Sequence, residues 1–403
     1  MLRGAFRRVW VAETVSAFGT PVTTVAVQVL LVGTLHASAT GIGLVNAAQW
    51  APYLVFGLLV GVLVDRYRRR PILVGTELAA GVLLVAVPLL AWAGLLRTWV
   101  LAAVLVPFGV LSLLNSAAAQ AYLPTLVARG DLARANARLE QSGNAAQTAG
   151  PALAGALVRL LGAPAAVLVD AASYLVGGVI LATGRAPEPV PARGPARHVG
   201  RELAEGLRWV YRHRMLAPYA LATHAWFGCN AVAGTVFAPY ALRTLHLGTV
   251  GYGVALAATG VGGVVGGGLS PRLGTRLGAG RAILVGRWLS PLALLVVALA
   301  HPGTAAWPVA VAGQFLYGLG IGIDGPQEAA YRTSVTPHEL QGRMNATIRS
   351  LNRGALTVGA PLAGLLADAA GYRTALVVGA GGFAAAALAL TLSPFRTARV
   401  AAD

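Results

Sequence analysis

The sequence predicts an all-α membrane protein, and three observations indicate this class: the composition, a series of long apolar runs and an internal repeat. The 403-residue chain is 56% hydrophobic and 11% charged, with a mean hydropathy of +0.68, whereas soluble domains carry about 25% charged residues. Backbone polar groups in lipid need partners within their own segment, so long apolar runs must be helices. The predicted fold is therefore a bundle of transmembrane helices.

Twelve apolar runs in the sequence reach about 20 residues, the length that crosses a hydrocarbon core of about 30 Å. The predicted spans are residues 9–33, 41–64, 72–94, 99–127, 136–161, 163–184, 215–242, 250–271, 282–300, 305–335, 344–367 and 373–394. We expect the first run to remain in the protein as a span, because it is long, lacks a cleavage site and contains Glu13.

An internal repeat divides these spans into two halves. The stretch "TLHASATGIG" at 34–43 returns as "TLHLGTVGYG" at 244–253, and "NARLEQSGNAAQTAGPALAG" at 136–155 returns as "NATIRSLNRGALTVGAPLAG" at 345–364. Two matches at nearly equal shifts predict two six-helix copies in the same orientation, related by an axis along the membrane normal. The predicted domains are the first half, residues 1–184, a cytoplasmic linker, residues 185–214, and the second half, residues 215–403.

The linker begins rich in proline and arginine and ends in a predicted amphipathic helix. Leu203, Leu207 and Val210 form an apolar stripe at helical spacing. We expect this helix to lie on the inner membrane surface between the halves.

The positive charge is explained by membrane topology. The chain has 31 basic residues, all arginine, and a net charge of +17. Under the twelve-span scheme only Arg97, Arg159, Arg243 and Arg373 fall on the outer side, and the other 27 fall on the cytoplasmic side or at inner helix ends. This bias places both termini in the cytoplasm of a cell (inner or plasma) membrane protein and argues against a nucleic-acid partner.

The stretch "GVLVDRYRRRP" at 61–71 lies at the inner turn between spans 2 and 3. Its Gly-x-x-x-Asp-Arg-x-x-Arg-Arg spacing resembles the signature of the major facilitator superfamily at that loop, with Arg68 replacing the usual glycine. The matching residues are Gly61, Asp65, Arg66, Arg69 and Arg70.

Further motifs narrow the resemblance to one branch. In span 5, "AAQTAGPALAG", with Gly150, Pro151 and Gly155, resembles the Gly-Pro motif of drug antiporters. Together with "LPTLV", "DAASY" and "TPHELQGRMNA" it is similar to the drug:proton antiporter branch that holds bacterial siderophore exporters and macrolide-efflux proteins. The arginine that many drug antiporters carry in span 4 is missing here.

The resemblance implies that Asp65 acts as a conformational latch, which holds the start of span 11 while the cavity faces outward. Arg343 and Arg349 lie near that start and are its predicted partners. In the second copy of the loop, "GGGLSPRLGTRLGAGR" at 266–281, Thr275 stands where the acid would align. The predicted counterpart contact there joins Glu140, at the inner end of span 5, to Arg272 or Arg276.

Ionisable residues inside spans are costly, at least about 2.5 kcal/mol each, so they are functional candidates by default. Glu13, Asp324 and Glu328 are the predicted proton-coupling residues, while salt bridging of the last two to Arg332 is the alternative. Gly325 and Pro326 are predicted to interrupt the helix beside them, as a hinge like the one at Gly150, Pro151 and Gly155. Glu77 in span 3 and Asp170 in span 6 are expected to be structural.

Polar and aromatic side chains inside spans predict a cavity for a bulky amphipathic ligand. The candidates are Gln28, Asn46, Gln49 and Trp50 in the first half and His224, Trp226, Asn230 and Tyr317 in the second. The stretch "GIGIDG" at 320–325 fits a dinucleotide-binding spacing but lacks the strand-turn-helix context, so we interpret it as a close-packing stripe.

The expected function is secondary active transport, most consistent with proton-coupled efflux of a drug-like, natural-product or siderophore-like molecule by alternating access. An importer or facilitator of a small polar metabolite, and a non-transporting sensor on the same scaffold, are the alternatives. No enzyme constellation, Walker loop or zinc-ligand spacing occurs in the sequence, and Cys229 is the lone cysteine. We expect a monomer without a cofactor, driven by the proton gradient.

Overall fold

The structure is a computed structural model that describes residues 4–184, 188 and 199–399. Eight helical positions are described by their backbone alone: Leu58, Leu59, Gly61, Val62, Asp65, Val199, Glu202 and Leu203.

The described part of the chain contains thirteen α-helices, with no strand among those residues. They are α1 (Gly4–Val29), α2 (Ala39–Arg66), α3 (Arg69–Trp92), α4 (Thr98–Leu126), α5 (Leu132–Leu161), α6 (Ala163–Ala182), α7 (Val199–Arg212), α8 (Leu216–Pro239), α9 (Gly248–Leu277), α10 (Ala279–Leu299), α11 (Ala306–Val335), α12 (His338–Ala370) and α13 (Tyr372–Leu392). Each predicted span coincides with one long helix, with ends that differ by a few residues.

Eight of the described helices are long and apolar enough to cross a membrane, which confirms the all-α membrane class. Helices α2, α5, α8 and α12 are not among the eight. Helices α5 and α12 carry charged and amide side chains along one face, and part of α2 lies outside the described side chains. The count of twelve spans therefore stays a prediction.

The repeat is visible in local backbone geometry. Helix α1 ends in a π-helical turn at Leu30–Thr34, and α8 ends in one at Tyr240–Thr244. Two residues later, His36 and His246 have positive φ angles of 45° and 53°. These are the only described non-glycine residues with positive φ, and they fall at the shift that the sequence match indicates.

The chain forms two compact units, Met1–His36 with Ala48–Arg197 and Ala37–Ala47 with His198–Asp403. The start of α2 therefore belongs to the second unit. In the first unit α1 packs against α5 and α6, and α3 packs against α4 and α6. In the second unit α11 packs against α9 and α10, and α8 packs against α12 and α13.

Small residues allow the closest helix crossings, as expected where packing rather than hydrophobicity brings helices together. A Cβ atom at Gly318 would lie 1.9 Å from the carbonyl oxygen of Thr259, and one at Gly322 would lie 2.2 Å from that of Gly263. A Cβ at Gly320 would lie 2.7 Å from the Gly286 carbonyl oxygen on α10. The "GIGIDG" stretch thus lies between α9 and α10 as a packing surface.

The prediction of an interrupted helix at Gly325 and Pro326 is wrong, because α11 runs without a break from Ala306 to Val335. Helix α5 likewise continues through Pro151. Proline removes one backbone hydrogen bond, and neighbouring helices can keep such a helix intact. Helix α11 is held by its close crossings with α9 and α10.

Helix α7, the predicted amphipathic linker helix, packs against α8 and α12. Val210 is fully buried against Ala220, Met344 and Ile348, and a Cβ at Gly206 would lie 2.9 Å from the Arg343 carbonyl oxygen. Its described apolar face therefore packs on α8 and α12, and its position at the inner membrane surface stays a prediction. Residue 203 of the predicted stripe lies outside the described side chains.

Candidate functional site

A charged cluster lies inside the second unit, formed by Arg287 of α10 and Asp324, Glu328 and Arg332 of α11. The Arg287 Nε lies 2.7 Å from Asp324 Oδ2, and its Nη2 lies 3.3 Å from Glu328 Oε2. Arg332 Nη1 lies 3.0 Å from Glu328 Oε1, one helical turn away. Each carboxylate is therefore paired with an arginine, and Arg287 is only 5% exposed.

Aromatic side chains cover one side of the charged cluster. The Arg287 guanidinium carbon lies 5.1 Å from the centre of the Trp226 ring, within cation–π range. The Trp226 indole N–H donates to Ser290 Oγ at 3.0 Å, and its ring stacks on Tyr317 with centroids 6.2 Å apart. The Tyr317 hydroxyl donates to Asn230 Oδ1. Three of the four predicted second-half cavity residues are thus brought together.

The charged cluster borders a cavity of about 270 Å³ in the second unit. Four arginines and two carboxylates are among its lining residues, with an aromatic pair and two asparagines. The lining includes Trp226, Phe227, Arg287, Ile321, Asp324, Glu328, Arg332, Asn345, Arg349, Asn352 and Arg353. We call this space the second-half cavity.

The fourth predicted residue, His224, links two elements beside that cavity. Its Nε2 lies 2.7 Å from the Tyr211 hydroxyl of α7, and its Nδ1 lies 2.7 Å from Asn352 Oδ1 of α12. His224 therefore joins α7 and α12 through α8. Asn46, predicted as a first-half cavity residue, lies in the second unit and donates to Thr235 at 3.4 Å.

The first unit holds buried carboxyl groups that have no ion pair with a described residue. Glu77 of α3 accepts from Ser16 Oγ at 2.9 Å and from Asn115 Nδ2 at 3.1 Å. Asp170 of α6 is fully buried and accepts from Ser173 Oγ at 3.1 Å, and Glu13 of α1 is half-buried.

Glycines make room for these carboxyl groups. A Cβ at Gly177 would lie 2.7 Å from Glu77 Oε2, and a Cβ at Gly19 would lie 2.3 Å from Asp170 Oδ1. A larger residue at either position would displace a carboxyl group from its hydrogen bonds.

An uncharged cavity of about 250 Å³ lies in the first unit. Among the predicted residues, Gln49 and Trp50 line it, whereas Gln28 is buried elsewhere in α1. Its other lining residues include Thr20, Tyr53, Thr76, Phe108, Ser112, Asn115 and Tyr174. Hydroxyl, amide and aromatic groups with no charge distinguish it from the second-half cavity.

We call the stretch 61–71, which connects α2 to α3, the arginine loop, and it contacts the ends of two helices. Arg70 Nη2 donates to the Ala182 carbonyl oxygen at 2.6 Å and its Nε to that of Leu181 at 3.2 Å, so it caps the end of α6. Glu188 accepts from the backbone N–H of Arg69 at 2.5 Å and of Arg70 at 3.2 Å, and so caps the start of α3. Negative charge suits a helix start and positive charge a helix end.

The predicted latch lies partly outside the described residues, because the Gly61 and Asp65 side chains are among those left out. Of the predicted partners, Arg343 pairs with Glu205 of α7, which also pairs with Arg201 at 3.4 Å. Arg349 lines the second-half cavity instead. The remaining predicted contact residues, Arg66, Glu140, Arg272 and Arg276, are exposed.

Two further residues matter that the sequence reasoning missed. Arg287 was counted among the cytoplasmic arginines, but it is buried in α10. Its signal in the sequence is that it is the one charged residue well inside the apolar run 282–300. Asp368, at the end of α12, accepts from the backbone N–H of Ala39 at 2.8 Å and of Thr40 at 2.9 Å, and so caps α2.

The pKa of Asp368 reflects this cap. Partial burial opposes the charged carboxylate, but hydrogen bonds from Thr40, Ala39 and Ser38 outweigh it and hold the pKa below its ordinary value. Sequence reasoning had no local signal for this contact, because its partners lie more than 300 residues away.

A described fold of helices with repeated halves, apolar spans and polar cavities lined from several helices is typical of multi-pass membrane transporters, which carry small molecules. The comparisons with known proteins agree. The chain belongs to the transmembrane secretion effector family of the major facilitator superfamily, whose profile matches residues 1–402. The predicted family is confirmed.

Two curated relatives and a solved structure are informative. The chain is 30% identical to the multidrug efflux pump Tap of Mycobacterium tuberculosis over 356 residues, covering 83% of this chain and 80% of Tap. It is 25% identical to macrolide efflux protein A of Streptococcus pyogenes over 186 residues, 45% of each chain. The nucleoside transporter NupG superposes with a TM-score of 0.78 at 12% identity, covering 96% of this chain and 98% of NupG, which shows the shared fold alone.

Proposed function

We propose that this protein is a proton-coupled exporter of small amphipathic molecules that works by alternating access of its two halves. The similarity to the Tap pump over most of both chains supports the outward direction. The similarity to macrolide efflux protein A supports a bulky, natural-product-like substrate.

The observation that carries the proton coupling is the set of buried carboxyl groups in the first unit. Glu77 is 3% exposed and Asp170 is fully buried, and neither has an arginine partner among the described residues. An ionised carboxylate without a cation is costly in a low-dielectric interior, so binding and release of a proton is the natural chemistry of such a group. Glu13, on the same helix as Ser16, completes this set.

The charged cluster of the second unit has a different role in the proposed transport cycle from that of the first-unit carboxyl groups. Asp324 and Glu328 are held by arginines, so their charges are already compensated. Proton uptake there would break an ion pair and free Arg287 or Arg332. We therefore assign proton entry to Glu13, Glu77 and Asp170 of the first half, the last two in place of the structural role expected from sequence. Asp324 and Glu328 are assigned substrate-linked charge rearrangement in place of the predicted proton coupling.

The proposed topology places the protein in the cell membrane with both termini in the cytoplasm, because 26 of the 31 arginines follow the positive-inside pattern when the buried Arg287 is set aside. The transporter is proposed to act as a monomer and without a cofactor. Asp65 remains the proposed latch to the start of α12; it lies in the last turn of α2, and Glu188 and Arg70 fix the following start of α3.

Everted membrane vesicles with an acidic lumen test the proposal, since they present the cytoplasmic face outward. The expected result is accumulation of erythromycin in the lumen, abolished by nigericin. Uptake into right-side-out vesicles would instead support an importer. Absence of flux for erythromycin and ethidium in either orientation would support a non-transporting sensor.

A further inference from the structure

The second-half cavity has an uneven charge balance. Its two carboxylates, Asp324 and Glu328, are each paired with Arg287 or Arg332 inside the charged cluster. Arg349 also lines the cavity, is exposed, and has no hydrogen bond or ion pair with a described residue. Arg353 lines the cavity too and has interactions of its own. The uncompensated charge that reaches this space is therefore positive.

Helix α12 carries this positive charge together with side chains that can donate hydrogen bonds. Asn345, Arg349, Asn352 and Arg353 follow one another at spacings of four, three and one residues, so they share one face of α12 and line the same cavity. Arg349 is the twelfth residue of this 33-residue helix, near the predicted inner start of span 11.

The first copy of the repeat has no such face. By the shift between "NARLEQSGNAAQTAG" and "NATIRSLNRGALTVG", Arg349 aligns with Glu140 and Arg353 with Asn144. The two halves thus share a fold and differ in the sign of charge at the position of Arg349, where the first copy has Glu140. This asymmetry points to recognition of a ligand rather than to helix packing, which both copies need equally.

The lining of the cavity indicates a second property of its ligand, an apolar or aromatic body. Trp226 and Phe227 line it beside Arg287, so an apolar or aromatic body can lie against rings while a charged group meets the arginines. A guanidinium binds carboxylate and phosphate oxygens through two parallel hydrogen bonds. A cationic ligand would have to displace an arginine from Asp324 or Glu328 first.

We propose that the second-half cavity is a recognition site for an oxyanion, a carboxylate or phosphate group attached to an apolar or aromatic body, with Arg349 as its principal contact. This inference rests on the proposed function and adds a substrate class to it, because it concerns molecules that carry an oxyanion, in addition to amines such as erythromycin, which lack one. The same chemistry occurs in anionic lipid headgroups, which are the other source of such a ligand.

Equilibrium binding of rhodamine B and of its ethyl ester tests the proposal, because the two dyes differ only in whether the carboxylate is free. The purified full-length protein is placed in phosphatidylcholine nanodiscs, binding is followed by fluorescence anisotropy, and empty nanodiscs give the lipid background. We expect the free acid to bind about tenfold more tightly than the ester. Equal binding of the two dyes, or tighter binding of the ester, would overturn the proposal.

Three variants test whether Arg349 is the residue that contacts the carboxylate of rhodamine B. Arg349→Gln should reduce the preference for the acid to about threefold or less, and Arg349→Lys should retain an intermediate preference because it keeps the charge but loses the two-bond geometry. Arg159→Gln, an exposed arginine on α5 outside the cavity, should behave as wild type. A preference that survives Arg349→Gln in folded protein would also overturn the assignment.

Adding phosphatidylglycerol to the nanodiscs separates the two sources of oxyanion. An unchanged preference for rhodamine B supports a solute site, whereas its loss shows that a lipid headgroup occupies the cavity and overturns the solute assignment. No proton gradient is applied in these measurements, so a failure of gradient-driven efflux leaves this result unaffected. Intact efflux without acid preference would reject the oxyanion site alone.

Discussion

Arg287 and Asp324 form an ion pair at 2.7 Å in which both residues are almost wholly buried. Burial of two charges gains little net stability over an apolar pair, but removal of one partner leaves the other charge uncompensated, at a cost of about 3–5 kcal/mol. The pair is therefore more informative about function than about stability, because apolar residues could fill the same space.

Substitution of Arg287 by Met should lower the thermal unfolding midpoint in detergent strongly, because Asp324 and Glu328 then face each other without the cation between them. Restoring the charge balance with Arg287→Met and Asp324→Asn together should recover most of the lost stability. Differential scanning fluorimetry measures both variants against Arg159→Gln, an exposed control. A single variant as stable as wild type would contradict the pairing.

Substitution of Glu77 by Gln should leave the fold intact and abolish proton coupling. The amide can accept from Asn115 and donate to Ser16, so both hydrogen bonds have a replacement. We expect at least about a tenfold loss of pH-driven erythromycin accumulation in everted vesicles, with normal amounts of protein in the membrane. Glu339→Gln, an exposed acid on α12, is the matched control. Normal accumulation by the Glu77 variant would remove Glu77 from the coupling pathway.

The Asp368 cap predicts a pH dependence of stability. Because the pKa of Asp368 is lowered in the folded protein, its stabilising contribution is present above its ordinary value of about 3.9 and is lost as pH falls through the lowered value. Wild type and Asp368→Asn should therefore differ most in unfolding midpoint near neutral pH and converge in acid. Glu140→Gln, an exposed acid away from the start of α5, gives the baseline effect of removing one surface acid.

The Arg70 cap predicts a local stability effect within the arginine loop. Arg70→Gln should cost about 1 kcal/mol, because the end of α6 loses a charged donor to its last carbonyl groups. Arg68→Gln, two residues away and exposed, should cost nothing measurable. Chemical unfolding of the two variants separates a structural role of the loop arginines from a purely topological one, for which the two would be equivalent.

Asp65→Asn tests the latch. The variant should insert normally and bind erythromycin with unchanged affinity, since the acid is predicted to hold a conformation rather than the ligand. Its turnover in everted vesicles should fall by about tenfold. Transport at the wild-type rate would reject the latch.

Much of the candidate site was predictable, and the exceptions share one cause. Trp226, Asn230 and Tyr317 were expected together from their residue types and lie together, and the pairing of Glu328 with Arg332 follows from their spacing along one helix. Arg343 was expected at the latch and instead pairs with Glu205, because α7 packs beside the start of α12. Residues close in the chain are constrained by helical geometry, but residues on different helices meet only through packing.

The sequence by itself determined the membrane class, the long helices, the repeat and the family, because each depends on hydrophobicity, periodicity or local motifs that a single segment carries. Only the tertiary structure decided which charges compensate one another. Arg287 became the partner of two acids on α11, Asp368 became the cap of α2, and Glu77 was left without an arginine among the described residues. These outcomes depend on distances of a few ångströms between separate helices, over which Coulomb energies and hydrogen bonds change steeply.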